Sequence, residues 1–180
     1  MRLAGAVFMV GALVAGTAFA ALPKGARAPE FTAEASLGGK TFRFSLAQAL
    51  KRGPVVLYFY PAAFTPGCTV EAHDFAAAMG RFKALGATVI GVSHDKIATL
   101  KRFSVSECRS KFPVAADPTQ RIMKAYDAVL PEHPAFANRT SYVIAPDDKI
   151  LYSYTNLNPS KHVANTMAVV EKYVSEHRKS

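Results

Sequence analysis

The sequence predicts a three-layer α/β/α sandwich with a central mixed sheet and an N-terminal β-hairpin. Three observations carry this reading. Residues 55–60, Val-Val-Leu-Tyr-Phe-Tyr, form a β-branched and aromatic run of strand length that passes into a helix-forming stretch. The strand-then-helix pattern repeats once, which describes β-α-β-α architecture. Residues 140–145 and 150–154 then read as two strands joined by Pro146-Asp147-Asp148-Lys149, a strong antiparallel hairpin signal.

Residues 30–46 alternate loosely around Gly38-Gly39, with Phe31 before the pair and Phe42 and Phe44 after it, and predict a hairpin at an edge of the fold. Strand 55–60 leads into helix 66–85, and strand Thr88–Ser93 into helix 96–110. Asp117-Pro118 opens a short helical segment near 119–126, a loop containing Pro131 and Pro134 follows, and a last helix spans 160–177. No repeat, low-complexity tract or linker divides residues 21–180. With 180 residues, 50% of them hydrophobic, the chain suits one domain able to bury a core without metal or disulfide support.

Residues 1–20 stand apart. Arg2 precedes an apolar, small-residue stretch at 3–16, and Ala18-Phe19-Ala20 matches a small-x-small cleavage pattern. A membrane anchor is the competing reading; the Ala and Gly content and the cleavage signature favour a cleaved secretory signal peptide. The expectation is an exported protein, periplasmic or secreted, without stable membrane insertion. Export meets an oxidising compartment, which gives meaning to the two cysteines, Cys68 and Cys108. Neither lies in a C-x-x-C pair, which weakens a thioredoxin-type redox motif and a zinc ribbon alike. The net charge is +9, yet no basic run exceeds two residues or is interleaved with aromatics. It reads as a solvated surface, with no nucleic acid as partner.

Cys68 is the residue that carries chemistry. Thr65-Pro66 reads as an N-cap followed by proline at the first helical position, so Cys68 is the third helical residue. Its sulfur then lies beside unpaired backbone N–H groups and the positive end of the helix dipole, which favour an anion. Lowering a thiol pKa from roughly 8.5 to roughly 6 needs about 3.4 kcal/mol, whereas a helix terminus supplies about 0.3–1 and seldom more than about 2. A reactive cysteine here needs a hydrogen-bond donor and a cation as well. Thr65 and Arg139 are the candidates.

With these elements in place, Pro61-x-x-x-Thr65-x-x-Cys68 at a strand-to-helix junction resembles the peroxiredoxin signature. The longer string from Tyr58 to Ala72 is similar to the bacterioferritin-comigratory (PrxQ-type) branch. Ala28-Pro29-Glu30-Phe31, Val89-Ile90-Gly91-Val92-Ser93, Phe112-Pro113-Val114 through Asp117-Pro118, and Arg139-Thr140-Ser141-Tyr142-Val143-Ile144 extend the resemblance over most of residues 21–180.

The resemblance implies a thioredoxin-like fold and a thiol-dependent peroxidase for hydrogen peroxide and organic hydroperoxides, recycled by a thioredoxin-like or other dithiol reductant, with no metal or organic cofactor. It implies that Cys68 is oxidised to a sulfenic acid, that Thr65 hydrogen-bonds the peroxide, that Pro61 shields the pocket and that Arg139 supplies positive charge. Glu71, one helical turn after Cys68, is placed to orient Arg139. Many relatives carry a second cysteine five residues after the first; here that position is His73. Cys108 resembles the alternative resolving cysteine, and a Cys68–Cys108 bond then requires local unwinding.

Blander readings stand beside these. Two cysteines in an exported chain can form a structural disulfide, whose loop of about 40 residues is worth about 4 kcal/mol in the chain-entropy model, and Cys108 can be a buried spectator. A peroxide-sensing or holdase protein could use the same oxidation without efficient turnover. Ser93-His94-Asp95 looks like a triad in order, but adjacent residues rarely converge on one point. His73, His133, His162 and His177 lack ligand spacing and are expected at the surface or in loops.

Overall fold

In the computed structural model, which describes residues 21–177, a single sheet of seven strands organises the chain; the expected signal peptide at 1–20 lies outside those residues. β1 (Thr32–Leu37) and β2 (Lys40–Ser45) make the expected hairpin, Leu37 pairing with Lys40 across Gly38-Gly39. Both glycines have positive φ, 55° and 78°, which a two-residue primed turn requires. Then follow α1 (Leu46–Leu50), β3 (Val55–Phe59), α2 (Pro66–Ala84), β4 (Thr88–Ser93), α3 (Ile97–Ser106), β5 (Val114–Ala116), α4 (Arg121–Ala125), β6 (Thr140–Ile144) and β7 (Ile150–Thr155). A 3₁₀ turn at Pro159–Lys161 leads into α5 (His162–His177). The strand order is β2-β1-β5-β4-β3-β6-β7, with β3, β4 and β5 parallel and the outer pairings antiparallel.

β3 is the spine. All five of its residues are buried, as expected for a strand covered on both faces. Val55, Leu57 and Phe59 enter one core with Leu50 of α1 and Met123 of α4, while Val56 and Tyr58 enter the other with Phe75 of α2, Phe103 of α3 and Met167 of α5. Each large apolar side chain so buried contributes about 1.5–3 kcal/mol relative to exposure. These two cores are the two interfaces of the three-layer sandwich.

Three local differences from the sequence reading have physical causes. α1 and β5 were not anticipated, because five and three residues are too short to show a period. α1 is started by Ser45, whose Oγ accepts from Gln48 N at 3.3 Å, and β5 is defined by its pairing to β1 and β4. α3 ends at Ser106 and not near residue 110, so Cys108 lies in the turn beyond the helix. Arg109 and Ser110 in that turn adopt left-handed backbone, φ 49° and 53°. Two consecutive non-glycine residues in that region store strain.

The sheet sets the site by register. Phe59 pairs with Thr140 and Thr140 with Thr155, so Arg139 lies just beyond the carboxyl end of β3 with Asn156 opposite it. Arg139 O accepts from Asn156 N at 3.1 Å. The β3–α2 junction shares this end of the parallel strands, where open α/β sheets commonly hold their ligands.

Asp117 shows how the short α4 is held. The helix has no side-chain N-cap of its own, and buried Asp117 accepts from the backbone N–H groups of Ile122 and Met123, each at 2.9 Å. Asp117→Ala is expected to destabilise the protein by about 1–2 kcal/mol, the loss of a helix cap, read from the shift in a urea unfolding midpoint at constant slope.

Candidate active site

The loop that leaves β3 runs from Tyr60 to Thr65 before α2 begins. Tyr60 N donates to Val92 O at 3.1 Å, continuing the sheet for one residue. Thr65 is the N-cap of α2 by backbone conformation and Pro66 follows at the first helical position, as expected. Its hydroxyl does not cap the helix: Oγ1 donates to Ala62 O at 2.9 Å. With its hydrogen so used, the Thr65 oxygen presents lone pairs, and a group it binds must bring the proton. Phe64 is half-exposed with φ 65°. Its ring meets Phe103 edge-on at 5.2 Å, and the Arg102 guanidinium lies 5.9 Å from its centroid.

The segment Ser93-His94-Asp95 braces this loop. Asp95 Oδ2 accepts from Ala63 N and from Ser93 Oγ, both at 2.8 Å, and His94 Nδ1 is 3.0 Å from Pro61 O. These residues do not converge as a catalytic relay, in keeping with their adjacency. Their contribution is to hold Pro61 and Ala63, a role that sequence order does not announce.

Cys68 is buried in the first turn of α2, and Arg139 is buried against it. All three guanidinium nitrogens of Arg139 are engaged: Nη2 lies 3.5 Å from Cys68 Sγ, Nη1 donates to Glu71 Oε2, and Nε donates to Leu157 O at 2.9 Å. Gly67 leaves room for this approach, since a Cβ there would meet Arg139 Nη2 at 3.0 Å. A cation so held favours a negative charge on the sulfur or on atoms beside it. Glu71 is 0% exposed, and burial pushes its carboxyl well above the ordinary carboxylate range while Arg139 pulls it back.

Among the expected site residues, the structure brings Cys68, Arg139 and Glu71 into one cluster and places Pro61 and Thr65 on the loop that leads to it. Cys108 is fully buried and free, in the same core as Cys68. Burial pushes its thiol far above the ordinary thiol range.

His73 is part-exposed, in keeping with the sequence reading, whereas His162 corrects it. His73 Nε2 lies 2.9 Å from Glu107 Oε2, which ties the second turn of α2 to the residue preceding Cys108. His162 was expected at the surface and is 0% exposed, with Nδ1 2.8 Å from Ser141 Oγ and Nε2 2.8 Å from Asn156 O. Its Nδ1 also faces Glu71 Oε1 at 3.6 Å. Neither placement leaves a trace in spacing, because each is made by elements far apart in the chain.

The AhpC/TSA family model matches residues 24–153. Among curated proteins, the chain is 34% identical over 149 residues to the chloroplastic peroxiredoxin Q of Triticum aestivum, covering 82% of this chain and 66% of that protein. It is 35% identical over 149 residues to a putative peroxiredoxin of Mycobacterium tuberculosis, covering 79% of this chain and 91% of that one. The chain thus spans just under two thirds of the plant relative's length and most of the bacterial one. Among solved structures, peroxidoxin BcpB from Mycobacterium tuberculosis superposes with a TM-score of 0.74 at 27% identity, covering 83% of this chain and 96% of that one. Peroxiredoxin Q of Xanthomonas campestris gives 0.68 at 25% identity, with 78% and 90% covered.

Burial holds His162 near a pKa of about 4, against 6.5 in the ordinary case. The unfolded chain therefore binds a proton between those values that the folded chain does not, so the stability contribution is present above pH 6.5 and lost as pH falls toward 4. The gap corresponds to about 3 kcal/mol at most. Unfolding free energies measured in urea at pH 7, 6 and 5 should fall more steeply for the wild type than for His162→Gln.

Proposed function

The chain belongs to the AhpC/TSA family of peroxiredoxins, and from that premise we propose that it is a thiol-dependent peroxidase with Cys68 as the reacting sulfur. The observation that carries this reading is the Arg139 guanidinium held 3.5 Å from a cysteine in the first turn of α2. A charge-assisted hydrogen bond contributes about 1.5–3 kcal/mol, more than a helix terminus typically supplies.

In the first step the Cys68 thiolate attacks the terminal oxygen of a hydroperoxide. The S–O bond forms as the O–O bond breaks, sulfur is oxidised to a sulfenic acid, and the other oxygen leaves as water or an alcohol after taking a proton. Arg139 stabilises the charge that moves from sulfur to the leaving oxygen. Thr65, whose own hydrogen is committed to Ala62 O, accepts the hydroperoxide O–H, and Pro61 closes the side of the pocket that His94 supports. Cys108 then attacks the sulfenic sulfur, giving a disulfide and water. An external dithiol of the thioredoxin-like class reduces that disulfide in a two-electron exchange.

The second step needs motion. A buried, protonated Cys108 is a poor nucleophile, so its turn must open. The left-handed Arg109 and Ser110 on one side and the left-handed Phe64 on the other mark two strained segments next to the two cysteines, which is where opening costs least. The His73–Glu107 contact opposes it. The reading also places the protein outside the cytoplasm, supported by the composition of residues 1–20. Among the described residues no helix is long and apolar enough to cross a membrane.

Stoichiometric peroxide followed by intact mass measurement without reduction tests the scheme. Wild type should lose two hydrogens as an intramolecular disulfide, Cys108→Ser should stop at sulfenic or higher oxidation states, and Cys68→Ser should be inert. A Cys68→Ser protein that consumes peroxide at the wild-type rate would sink the mechanism.

His73→Ala removes the contact that holds the Cys108 turn. Loss of one such part-exposed side-chain contact is worth up to about 1 kcal/mol, so disulfide formation after a peroxide pulse should accelerate by up to about 5-fold, with a smaller fraction over-oxidised. Rapid quench and mass measurement check this. An unchanged disulfide rate would show that the contact does not limit opening.

A further inference from the structure

Arg139 does not hold itself. Its Nε is fixed by the carbonyl of Leu157, and Leu157 lies in a short segment between β7 and the 3₁₀ turn that has little packing of its own: the Leu157 side chain is 56% exposed. Something else must keep that carbonyl in place. Within the segment, Asn156 Oδ1 accepts from Asn158 N at 2.8 Å, and Asn158 Oδ1 from Ser160 N at 3.0 Å. These bonds are local and turn with the segment. Two bonds tie the segment to the core: Asn156 N donates to the Arg139 carbonyl at 3.1 Å, and the Asn156 carbonyl meets Nε2 of buried His162 at 2.8 Å, the one made to a side chain.

The tautomer follows from the partners. Asn156 O can only accept, so Nε2 of His162 carries the hydrogen. A neutral ring then offers Nδ1 as an acceptor, which Ser141 fills by donating its hydroxyl. The ring edge against Tyr154, at 4.8 Å between centroids, fixes its plane. In this state the ring presents no proton to Glu71 Oε1, which is buried without a hydrogen-bond partner. The carboxylate therefore turns to Arg139 for its donor. The charged and titratable groups facing Glu71 and His162 include Arg139, Cys68 beyond it, Asp74 on the next turn of α2, Tyr58 on β3 and Tyr154 on β7.

We propose that His162 is a positioning residue for the Cys68 centre: by joining Ser141 on β6 to the carbonyl of Asn156, it fixes the segment whose Leu157 carbonyl aims Arg139 at the sulfur. The role rests on Cys68 being the reacting sulfur, and it extends that reading to a residue on α5 that touches neither sulfur nor peroxide. A purely structural histidine would lower stability when removed and leave the reactivity of Cys68 alone. A positioning histidine changes both.

The test uses the full chain as wild type, His162→Leu, His162→Gln and Ser141→Ala. Iodoacetamide alkylation of Cys68, followed by peptide mass from pH 5 to 9, is read together with peroxidase kcat/KM and the urea midpoint. In His162→Leu the alkylation profile should move to higher pH, with about a tenfold lower rate at pH 6 and a similar loss in kcat/KM, the scale of one well-placed hydrogen bond. His162→Gln, whose amide can donate to Asn156 O, should recover most of the loss. Ser141→Ala keeps the Asn156 bond and tests the same ring if His162→Leu does not fold; its alkylation rate should fall about threefold at pH 6.

Profiles of His162→Leu, or of Ser141→Ala alone, that coincide with wild type overturn the proposal. Alkylation reports on Arg139 and Cys68 whether or not Cys68 reduces peroxide. A Cys68→Ser protein that remains active would therefore defeat the proposed function while leaving this measurement to decide the role of His162.

Discussion

The position of one guanidinium governs the site. Arg139 is almost wholly buried, and each of its nitrogens has a different partner: the Cys68 sulfur, the Glu71 carboxylate and the Leu157 carbonyl. An arginine taken out of water is costly unless it is fully paired, so these three contacts are also what makes the burial possible. Two of the partners come from α2 and the third from the segment after β7, which His162 on α5 contacts in turn. The sheet register that sets Arg139 beyond Thr140 and opposite Asn156 is the frame on which they meet.

The cluster holds one permanent cation and two groups able to be anions, Cys68 and Glu71. With both ionised, the buried site carries a net negative charge, which the low dielectric penalises. The surroundings divide the task. Glu71 has one donor and an unpartnered second oxygen, and His162, held neutral by burial, adds no positive charge to favour the carboxylate. Gly67 completes the arrangement by leaving out the Cβ that would meet Nη2.

Around this rigid centre the two cysteine segments are less securely built. Phe64, Arg109 and Ser110 sit in left-handed backbone, a cost that persists only because the surrounding structure enforces it. In the proposed scheme, rigid positioning would serve attack on a peroxide, and loosely held ends the later meeting of two sulfurs. The His73–Glu107 contact stands between these needs. It occupies the very position where many relatives carry a second cysteine, and it ties that turn of α2 to the neighbour of Cys108.

Much of the fold was legible in the chain, because strong local signals agreed with each other. The β-branched run of β3, the Gly38-Gly39 turn, the Thr65-Pro66 helix start and the Pro146–Lys149 turn each act over a few residues, and they set element types without reference to the rest of the molecule. Cys68 at a helix start belongs to the same class. The short α1 and β5 were not legible because so few residues show no period, and the brace at Ser93-His94-Asp95 and the burial of His162 were not because each depends on partners that are distant in the chain. Sequence determined that a cysteine stands at the start of α2. Sequence also offered Arg139 as the cation, but only the tertiary structure decided how closely it meets the sulfur and what holds it in place, since a guanidinium is aimed by contacts that the linear order of residues does not contain.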